Sequence, residues 1–419
     1  MTTTHARPAA ETTEERDVRE VRRAACCVVG GGPGGMVLAL LLARRGVSVH
    51  LLEAHEDFDR DFRGDTIHPS VLELMDQLGL AERLHRLRHS KIHTGTVMTP
   101  SGPVTLVDFR RLKTRFPYIM MLPQKDFLAF LADEAKRYEG FRLSMGARVE
   151  ELIEEGGVVR GVRYEGDDGP REVRADLTVG ADGRGSRVRH LGGFEMVKTS
   201  PPMDVLWFRL PRLETDPAGA FARFGPGNGV VMLDRGDQWQ IAYLILKGSY
   251  GQVRAAGVEE LRRHLAEVVP EFADRVGKLE SWKQVSMLSV ESSRVKRWYR
   301  PGLLLIGDAA HVMSPVGGVG INYAIQDAVV AANVLTGPLK AGAVREAHLR
   351  RVQRRRGWPT RFIQAIQTQI QKRIIAGALS GTQPIRLPLA LRLLLRVPGL
   401  RNLPARVIGF GLVKVRLES

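Results

Sequence analysis

Cysteine is almost absent from this 419-residue chain, and aromatic side chains make up only 6% of it. The two cysteines, Cys26 and Cys27, are adjacent in an apolar run, where they cannot readily bridge to each other and have no third partner. This scarcity excludes a small scaffold held together by disulfides. It is typical of a protein from a reducing compartment, and we expect a cytoplasmic location.

Long apolar runs are also absent. The only extended apolar tail lies near the C-terminus, where it is interrupted by Arg386, Arg392, Arg396 and Arg401. A membrane-spanning helix needs about 20 predominantly apolar residues, so the sequence predicts none. Residues 1–20 contain Thr, Glu, Arg and Asp without an apolar core, which argues against a secretory signal. We predict that residues 1–24 form a disordered tail.

The sequence lacks the motifs of several kinds of catalytic site that are built from side chains alone. It contains no obvious pair of catalytic carboxylates, no Cys/His cluster at metal-ligand spacing and no nucleophile elbow. We therefore predict no metal site and expect catalysis to depend mainly on a bound cofactor.

What the sequence does contain is typical of an α/β protein. Apolar residues make up 44% of the chain, which has 44 glycines, and its length suits a large nucleotide-binding domain with a smaller second one. The clearest motif is a G-x-G-x-x-G formed by Gly30, Gly32 and Gly35, between an apolar strand at residues 25–29 and a helical stretch. In this motif the glycines allow a tight turn, close approach of a pyrophosphate and helix–sheet packing, in that order.

Glu53 complements this fingerprint. It follows Gly30 by 23 residues and ends the next apolar strand, where its carboxylate can accept a hydrogen bond from an adenosine ribose. The helix that follows the glycines directs its unpaired amides and positive dipole end towards the phosphates. The fingerprint alone fits NAD, NADP or FAD.

The pattern of elements predicts how the chain is divided. Residues 201–293 contain several β-type stretches and one helical stretch at 258–269, whereas a buried-strand pattern returns at 303–307 and leads to a long helix at about 321–335. We predict a Rossmann-type domain from residues 25–200 and 294–340. The predicted remainder is a β-rich substrate domain inserted at 201–293 and a basic helical region at 341–419.

Two further motifs carry a family resemblance. Asp182 and Gly183 follow a strand in "LTVGADGRGSRVR", and residues 307–328 read "GDAAHVMSPVGGVGINYAIQDA". Together with the fingerprint, and in the same order, they resemble the motifs of the class A flavoprotein monooxygenases, the para-hydroxybenzoate hydroxylase-like family. The resemblance covers roughly residues 25–335. Three ordered motifs are far more specific than any one of them.

The resemblance implies FAD, bound non-covalently, and a set of residues that contact it. Asp308 is implied to bond the ribityl hydroxyls. The residues implied to lie beside the flavin ring are Pro315, Gly318, Gly320 and Asn322. A glycine-rich loop that opens a helix offers backbone donors and a positive dipole end to the negative charge of a reduced flavin.

Other positions are implied to contact the cofactors elsewhere. Asp182 and Gly183 are expected near both FAD and the path of the nicotinamide cofactor. Arg63 resembles the family's FAD-contacting arginine, and Gln124 stands where the family often has an arginine or glutamine that reaches the cofactor.

The resemblance also explains why there is only one fingerprint. In this family NADPH or NADH reduces FAD while bound transiently, without a second Rossmann domain. The reduced flavin then takes up O2 as a 4a-hydroperoxide, which hydroxylates an aromatic or polyketide-like small molecule. Water must be excluded meanwhile, so the β-rich domain is expected to cover the flavin ring.

Residues that act directly on the substrate are less clearly marked. Candidates are His68, which precedes Pro69 near the expected flavin site, and Arg209 and Tyr243, which belong to predicted strands of the second domain. Each also has a purely structural interpretation. His311, inside the third motif, is interpreted mainly as a packing residue.

Three enzymatic functions remain as alternatives to one another: the hydroxylase, an FAD-dependent reductase of an isoprenoid or other lipophilic substrate, and a flavin-dependent halogenase. Oxygen dependence separates the first two. The halogenases carry a W-x-W-x-I-P signature, and the nearest text here is "WQIAYLIL".

The net charge of +16 is concentrated at the C-terminal end, where residues 345–416 contain sixteen Lys or Arg and a single acid, Glu346. Helices in this region could cover the FAD domain with their apolar faces, or bind peripherally to a membrane surface. Nucleic-acid binding is not expected, because no recognised reading motif is present and aromatic residues are sparse there.

Overall fold

The computed structural model describes residues 19–59, 65–166, 168–225, 227–381 and 395–418. Two large sheets organise these residues, one with a parallel centre and one largely antiparallel. The predicted fold class, an α/β Rossmann-type domain with a β-rich unit and C-terminal helices, is confirmed.

The strands, in chain order, are β1 (Glu20–Val29), β2 (Val49–Leu52), β3 (Thr66–Ile67), β4 (Ser90–Ile92), β5 (Thr94–Thr99), β6 (Gly102–Asp108), β7 (Ile119–Met121), β8 (Phe141–Ser144), β9 (Arg148–Glu155), β10 (Val158–Gly166), β11 (Gly169–Gly180), β12 (Met196–Thr199), β13 (Met203–Pro211), β14 (Ala220–Gly225), β15 (Asn228–Asp234), β16 (Gln238–Leu246), β17 (Ser286–Leu288), β18 (Ser292–Val295), β19 (Tyr299–Arg300), β20 (Leu303–Leu305) and β21 (His311–Val312).

The α-helices are α1 (Pro33–Arg44), α2 (Pro69–Gln77), α3 (Ala81–His85), α4 (Gln124–Ala135), α5 (Arg187–Leu191), α6 (Tyr250–Ala255), α7 (Val258–Val268), α8 (Gly320–Lys340), α9 (Glu346–Ile370), α10 (Ala376–Ser380) and α11 (Leu403–Phe410). A π-helical turn, Gln371–Ile375, joins α9 to α10.

The first sheet has the parallel core β20-β11-β1-β2-β8, and β9 and β10 extend it as an antiparallel pair on β11. The first strand begins at Glu20, so residues 20–24, predicted to belong to a disordered tail, pair with the first half of β11 instead. Their partners lie some 150 positions away in sequence, which is why the local composition gives no sign of the strand. The return of the chain at β20 matches the predicted buried strand.

Helix α1 lies at the centre of this domain. Proline at its first position, Pro33, suits a helix start, and Gly46 follows its end with a positive φ of 76°. Every residue from Gly34 to Ala43 is buried, because the helix packs against both α4 and α8. This complete burial explains why the stretch is apolar on all sides.

The second sheet has the order β17-β13-β16-β15-β14-β5-β6. Its last two strands come from residues 94–108, which were assigned to the first domain, so the β-rich unit draws on more of the chain than residues 201–293. The link is a parallel pairing of β5 with β14, which only the folded chain brings together. Strands β14 and β15 pair antiparallel, from Ala220 with Leu233 to Gly225 with Asn228.

The two faces of this sheet have different neighbours. One face carries Phe208, Trp239 and Tyr243 and packs under α7 in a core that includes Leu261 and Leu265. The other face carries Val205, Ala242 and Leu244, which pack with Ile375, Leu379 and the half-buried Val316. Because Val316 belongs to the third sequence motif, this second face is turned towards the loops that the resemblance implies to bind the flavin, which we call the flavin loops. We call this second face the roof face.

The basic C-terminal region is helical in α9, α10 and α11. Helix α9 packs on α8, and α11 contacts α2 and β6. Among the described helices, none has both the length and the apolar character that crossing a bilayer requires.

Candidate active site

The three fingerprint glycines each meet a different steric demand. Gly30 has a φ of 104°, and a Cβ there would lie 2.5 Å from the carbonyl oxygen of Ala181. A Cβ on Gly35 would lie 2.0 Å from the carbonyl oxygen of Gly30, whereas a Cβ on Gly32 would meet no protein atom within 4 Å. Gly30 and Gly35 are therefore needed by the fold itself, and Gly32 leaves open space at the start of α1.

Glu53 faces this glycine loop. It is 3% exposed at the end of β2, and its Oε2 accepts a hydrogen bond of 2.7 Å from the backbone N–H of Gly31. Its Oε1 accepts from the backbone N–H of His55 at 3.0 Å. The carboxylate is thus fixed beside the loop, in the position expected for a residue that binds an adenosine ribose.

The second motif lies directly against the first. Asp182 Cα would be only 2.6 Å from a Cβ on Gly30. The carboxylate of Asp182 accepts a 2.5 Å hydrogen bond from the Ser186 hydroxyl and one of 3.0 Å from the backbone N–H of Val188. Burial raises the pKa of this carboxyl group, although these hydrogen bonds oppose the effect. Gly183 has a φ of 81°, which explains a glycine at this position.

Arg189 connects the second motif to the third. Its side chain is buried and donates to the carbonyl oxygen of Ala309 at 3.2 Å, next to Asp308, and to that of Arg184 at 2.8 Å. Asp308 itself is half-buried in a short 3-10 turn. The three motifs, separated by more than 100 residues in sequence, therefore meet in one place.

Asn322, at the start of α8, fixes the loop that precedes this helix. Its side-chain amide donates to the carbonyl oxygen of Thr66 at 3.2 Å and, at 3.4 Å, to that of Gly318. Its Oδ1 accepts from the backbone N–H of His68 at 2.9 Å. Gly318 has a φ of 61°, and Thr66 also donates its hydroxyl to the Gly318 carbonyl. Asn322 thus positions the loop that carries Pro315, Gly318 and Gly320.

His68 lies behind this loop, fully buried. Its Nδ1 is 2.8 Å from the carbonyl oxygen of Ile408, so Nδ1 carries the proton and donates. Its Nε2 has no hydrogen-bond partner among the described residues and lies 3.7 Å from the position of a Cβ on Gly318. The placement makes His68 a link between α11 and the loop, with an unpaired acceptor directed at Gly318.

His68 should also make folding sensitive to pH. Burial lowers the pKa of its imidazole to about 4, below the ordinary value near ~6.5. The folded protein holds this ring neutral, so its contribution is complete above about pH 6.5 and is lost as the pH falls towards 4. This difference corresponds to about 3 kcal/mol. Burial lowers the pKa of His50 to about 4 as well, so His68 accounts for only part of the slope.

We expect the free energy of unfolding of the His68→Gln variant, measured by urea titration, to fall less steeply than that of the wild type between about pH 7 and pH 4. The comparison concerns slopes, so a lower absolute stability of the variant does not affect it. Equal slopes in the two proteins would contradict a neutral buried imidazole.

Two other predicted cofactor contacts have different outcomes. Gln124 is the first residue of α4, half-buried, and its backbone N–H donates to Asp65 at 3.1 Å. Asp65 in turn pairs with Arg235, which also donates to Gln240 at 3.2 Å. Gln124 is therefore close to the polar end of the roof face. Arg63 lies outside the described residues, and its predicted contact with FAD stays a prediction.

The two remaining catalytic candidates, Arg209 and Tyr243, lie on opposite faces of the second sheet. Paired residues form rows across the roof face: Trp207, Ala242 and Val231 form one row, and Arg209, Gln240 and Leu233 form the next. Arg209 is exposed on this face. Tyr243 alternates to the opposite face, where it is buried under α7 and burial raises its pKa to about 12. This placement argues against a direct catalytic role for Tyr243, because the side chain is turned away from the flavin loops.

One buried cluster was missed by sequence reasoning. The fully buried carboxylate of Asp327 lies 2.6 Å from His311 Nε2, and it accepts hydrogen bonds from Arg356 Nε at 2.7 Å and Gly307 N–H at 3.1 Å. Burial raises the pKa of Asp327, but His311 and Arg356 lower it more, so the net shift is downwards. Since Gly307 precedes Asp308, this cluster fixes the backbone beside Asp308, the residue predicted to bind the ribityl hydroxyls. In the sequence, Asp327 of "NYAIQDA" and Arg356 lie 29 residues apart, and no local pattern indicates that they pair.

A row of glutamines, two on α9 and one at the start of the π-helical turn that follows it, was missed as well. Their side-chain amides donate to the main chain of the third motif: Gln364 to Val312 and Gln367 to both Ser314 and Val316, at 2.8 to 3.0 Å. Gln371 donates to the Ser314 hydroxyl. The spacing of three and four residues along a helix is the one available signal, and it places all three on one side.

These residues fit FAD. The open space at Gly32 can accommodate a pyrophosphate, and the carboxylate beside the glycine loop can bind a ribose. Helices α1 and α8 begin without a side-chain cap in the described structure, so their N-terminal amides can bind the pyrophosphate and the reduced flavin. In the described ranges, no group of three or more His, Cys, Asp or Glu side chains is arranged to hold a metal ion.

Comparison with known proteins agrees with this geometry. A family model described as an FAD binding domain matches residues 23–365. A curated relative, the 6-methylpretetramide 4-monooxygenase of Streptomyces rimosus, is 37% identical over 388 residues, which cover 92% of this chain and 91% of that protein. Two further curated relatives are longer, and the chain spans 60% and 52% of their lengths.

Solved structures give the same picture. The OxyS anhydrotetracycline hydroxylase from Streptomyces rimosus matches with a TM-score of 0.73 at 25% identity, over 94% of this chain and 77% of that one. The flavin-dependent brominase Bmp2 matches with a TM-score of 0.76 at 16% identity, over 94% of each chain. At 16% identity the likeness shows the fold alone, so the halogenase alternative has no support beyond the fold.

Proposed function

The chain belongs to the FAD binding domain family and is a class A FAD-dependent monooxygenase, and from this premise we propose that it hydroxylates an aromatic polyketide of the tetracycline type. The observation that carries the proposal is the 6-methylpretetramide 4-monooxygenase, which matches over nearly the full length of both chains. Relatives named as monooxygenases favour oxygen transfer over the alternative of double-bond reduction.

The roof face supports a planar, largely apolar substrate. Trp207 is half-buried there, next to the small side chain of Ala242 and the half-buried Val231. An aromatic platform beside small aliphatic residues offers a flat surface for fused rings. The apolar character of this surface also excludes water from the space above the flavin loops.

The adjacent row supplies polarity at one end. Arg209 and Gln240 are paired across β13 and β16, and Arg235 lies next to Gln240. We infer that these side chains bind the phenolic and carbonyl oxygens of the substrate and favour the phenolate, which makes the ring more electron-rich. In the overall reaction, substrate, O2, NAD(P)H and a proton give hydroxylated substrate, water and NAD(P)+. FAD, when bound, supplies the two-electron reduction of O2.

Replacing Trp207 with alanine should test the roof. We expect the KM for 6-methylpretetramide to rise about tenfold or more and NADPH oxidation to yield mainly hydrogen peroxide, while FAD stays bound, because the ring platform is lost and water enters. The matched control is Trp282→Ala, which removes a half-buried tryptophan from the α7 side of the sheet. Product and peroxide are measured together by mass spectrometry and a peroxidase assay.

Two results would contradict the proposal in different ways. If the wild type hydroxylated simple phenols but not 6-methylpretetramide, the polyketide assignment would be wrong. If Trp207→Ala and Trp282→Ala changed KM equally, the roof face would not be the substrate surface.

The basic C-terminal region supports a separate proposal, a peripheral contact with an anionic membrane surface. Its charge is almost entirely of one sign, and six of the ten large apolar side chains most exposed in the described structure lie between residues 358 and 413. Exposed apolar groups among basic ones are typical of proteins that bind at the membrane interface.

A further inference from the structure

Resting on the proposed membrane contact, and independent of the substrate proposal, we infer that the outward side of α9 docks on an anionic lipid surface. We call this surface the α9 face. Its residues are all exposed: Arg351, Arg354, Trp358, Arg361 and Phe362 of α9, together with Lys372 and Arg373 of the π-helical turn that follows it.

Two aromatic side chains lie at the centre of the α9 face. Trp358 is 48% exposed and Phe362 is 51% exposed, and because they lie four residues apart on α9 they are on the same side of the helix. Large aromatic residues usually bury most of their surface, and tryptophan is enriched where proteins meet the headgroup region of a bilayer. The pair therefore forms an apolar stripe that a lipid interface can bury.

The charges around this stripe are not neutralised. Arg351, Arg354 and Arg361 form no ion pair with any described residue, whereas their neighbours Arg350 and Arg355 pair with Glu346 and Glu418. Each basic side chain near an anionic surface strengthens binding by roughly fivefold. The α9 face therefore complements an anionic lipid surface, whose headgroups are negatively charged and whose interior, a few ångströms deeper, is apolar.

The opposite side of α9 is rigidly attached to the protein. Ile363 is buried together with Gln364 and Gln367, whose amides bind the main chain of the third motif. The α9 face is thus presented by a helix that is already folded and packed. Docking needs no additional ordering of the chain, which avoids an entropic cost.

A neighbouring segment favours lipid over nucleic acid. Val407 of α11 packs against the cluster that contains Ile363. Val397 and Leu400, before α11, and Leu403, its first residue, are 44%, 50% and 45% exposed. Nucleic-acid binding relies on charge and on stacking rings and makes little use of exposed aliphatic groups. Aliphatic, aromatic and basic groups together fit a lipid interface.

The test is co-sedimentation of the FAD-loaded full chain with vesicles. Vesicles of phosphatidylcholine with about one third phosphatidylglycerol should bind the protein at least tenfold more tightly than phosphatidylcholine alone, and added salt should weaken binding. The Trp358→Ala/Phe362→Ala variant should bind the anionic vesicles at least tenfold more weakly than the wild type. The matched control is Leu246→Ala/Met287→Ala, which removes two exposed apolar side chains from the second sheet, each 42% exposed, and should bind like the wild type.

A second readout does not depend on affinity. Addition of anionic vesicles should shift tryptophan fluorescence to shorter wavelength in the wild type, and the conservative Trp358→Phe variant should bind but lose most of this shift. If the Trp358→Ala/Phe362→Ala variant bound anionic vesicles as tightly as the wild type, the α9 face would not be the docking surface, and the membrane contact would lie elsewhere on the protein. If the wild type did not bind anionic vesicles, or bound only an acidic protein or DNA, both the membrane contact and its assignment to the α9 face would be wrong.

Discussion

Replacing Gly32 with alanine should strongly weaken FAD binding and leave the stability of the apoprotein almost unchanged. The backbone at Gly32 has φ −69° and ψ 177°, which alanine adopts readily, and a Cβ there meets no protein atom within 4 Å. The methyl group would instead occupy the space that the pyrophosphate needs. We expect FAD affinity to fall roughly 100-fold or more, equal to about 3 kcal/mol. Flavin fluorescence titration measures the affinity, and urea unfolding of the apoprotein measures the stability.

Gly35→Ala is the matched control for this prediction. Its Cβ would lie 2.0 Å from the carbonyl oxygen of Gly30, so this variant should lose stability as well as FAD. The two variants separate a glycine required by the ligand from a glycine required by the fold. If Gly32→Ala bound FAD as tightly as the wild type, the loop would not approach a pyrophosphate and the fingerprint would have been misinterpreted.

Replacing Asp327 with alanine should cost about 3–5 kcal/mol of unfolding free energy, because it leaves the guanidinium of Arg356 buried without a counter-charge. Arg356 is only 1% exposed, so bulk water does not solvate its guanidinium. The backbone N–H of Gly307 also loses its partner, which should loosen the turn at Asp308 and weaken FAD binding. Urea unfolding, with and without added FAD, measures both effects.

Two comparisons make this prediction specific. Arg350→Ala removes a surface ion pair with Glu346 on the same helix as Arg356, and it should cost less than about 1 kcal/mol. The double variant Asp327→Leu/Arg356→Met removes both buried charges and should recover much of the lost stability. A loss below 1 kcal/mol for Asp327→Ala would contradict a buried, mutually dependent cluster.

The sequence predicted those parts of the site that local motifs specify. Gly30, Gly35 and Gly183 lie where the local backbone favours glycine, at a tight turn or at a positive φ, and Glu53 directly follows a strand. Such requirements are expressed within a few residues, so a single sequence displays them. The family resemblance then supplied the order of the three motifs, and the fold class followed.

The remaining features depend on contacts between distant segments. The pairing of β14 with β5 joins residues more than 100 positions apart, and so does the pairing of residues 20–24 with β11. The orientation of Tyr243 depends on which face of the sheet α7 covers, and alternation alone defines two faces without naming their neighbours. The partners of Asp327 and of the α9 glutamines are likewise set by tertiary packing.

As a monooxygenase, this chain should use FAD to place an oxygen atom from O2 on an aromatic substrate. The most direct measurement is mass spectrometry of the product formed from 6-methylpretetramide and NADPH under 18O2. We expect a product that contains one 18O atom and that is absent when FAD or O2 is withheld. A product without 18O, or turnover that continues without O2, would contradict this expectation.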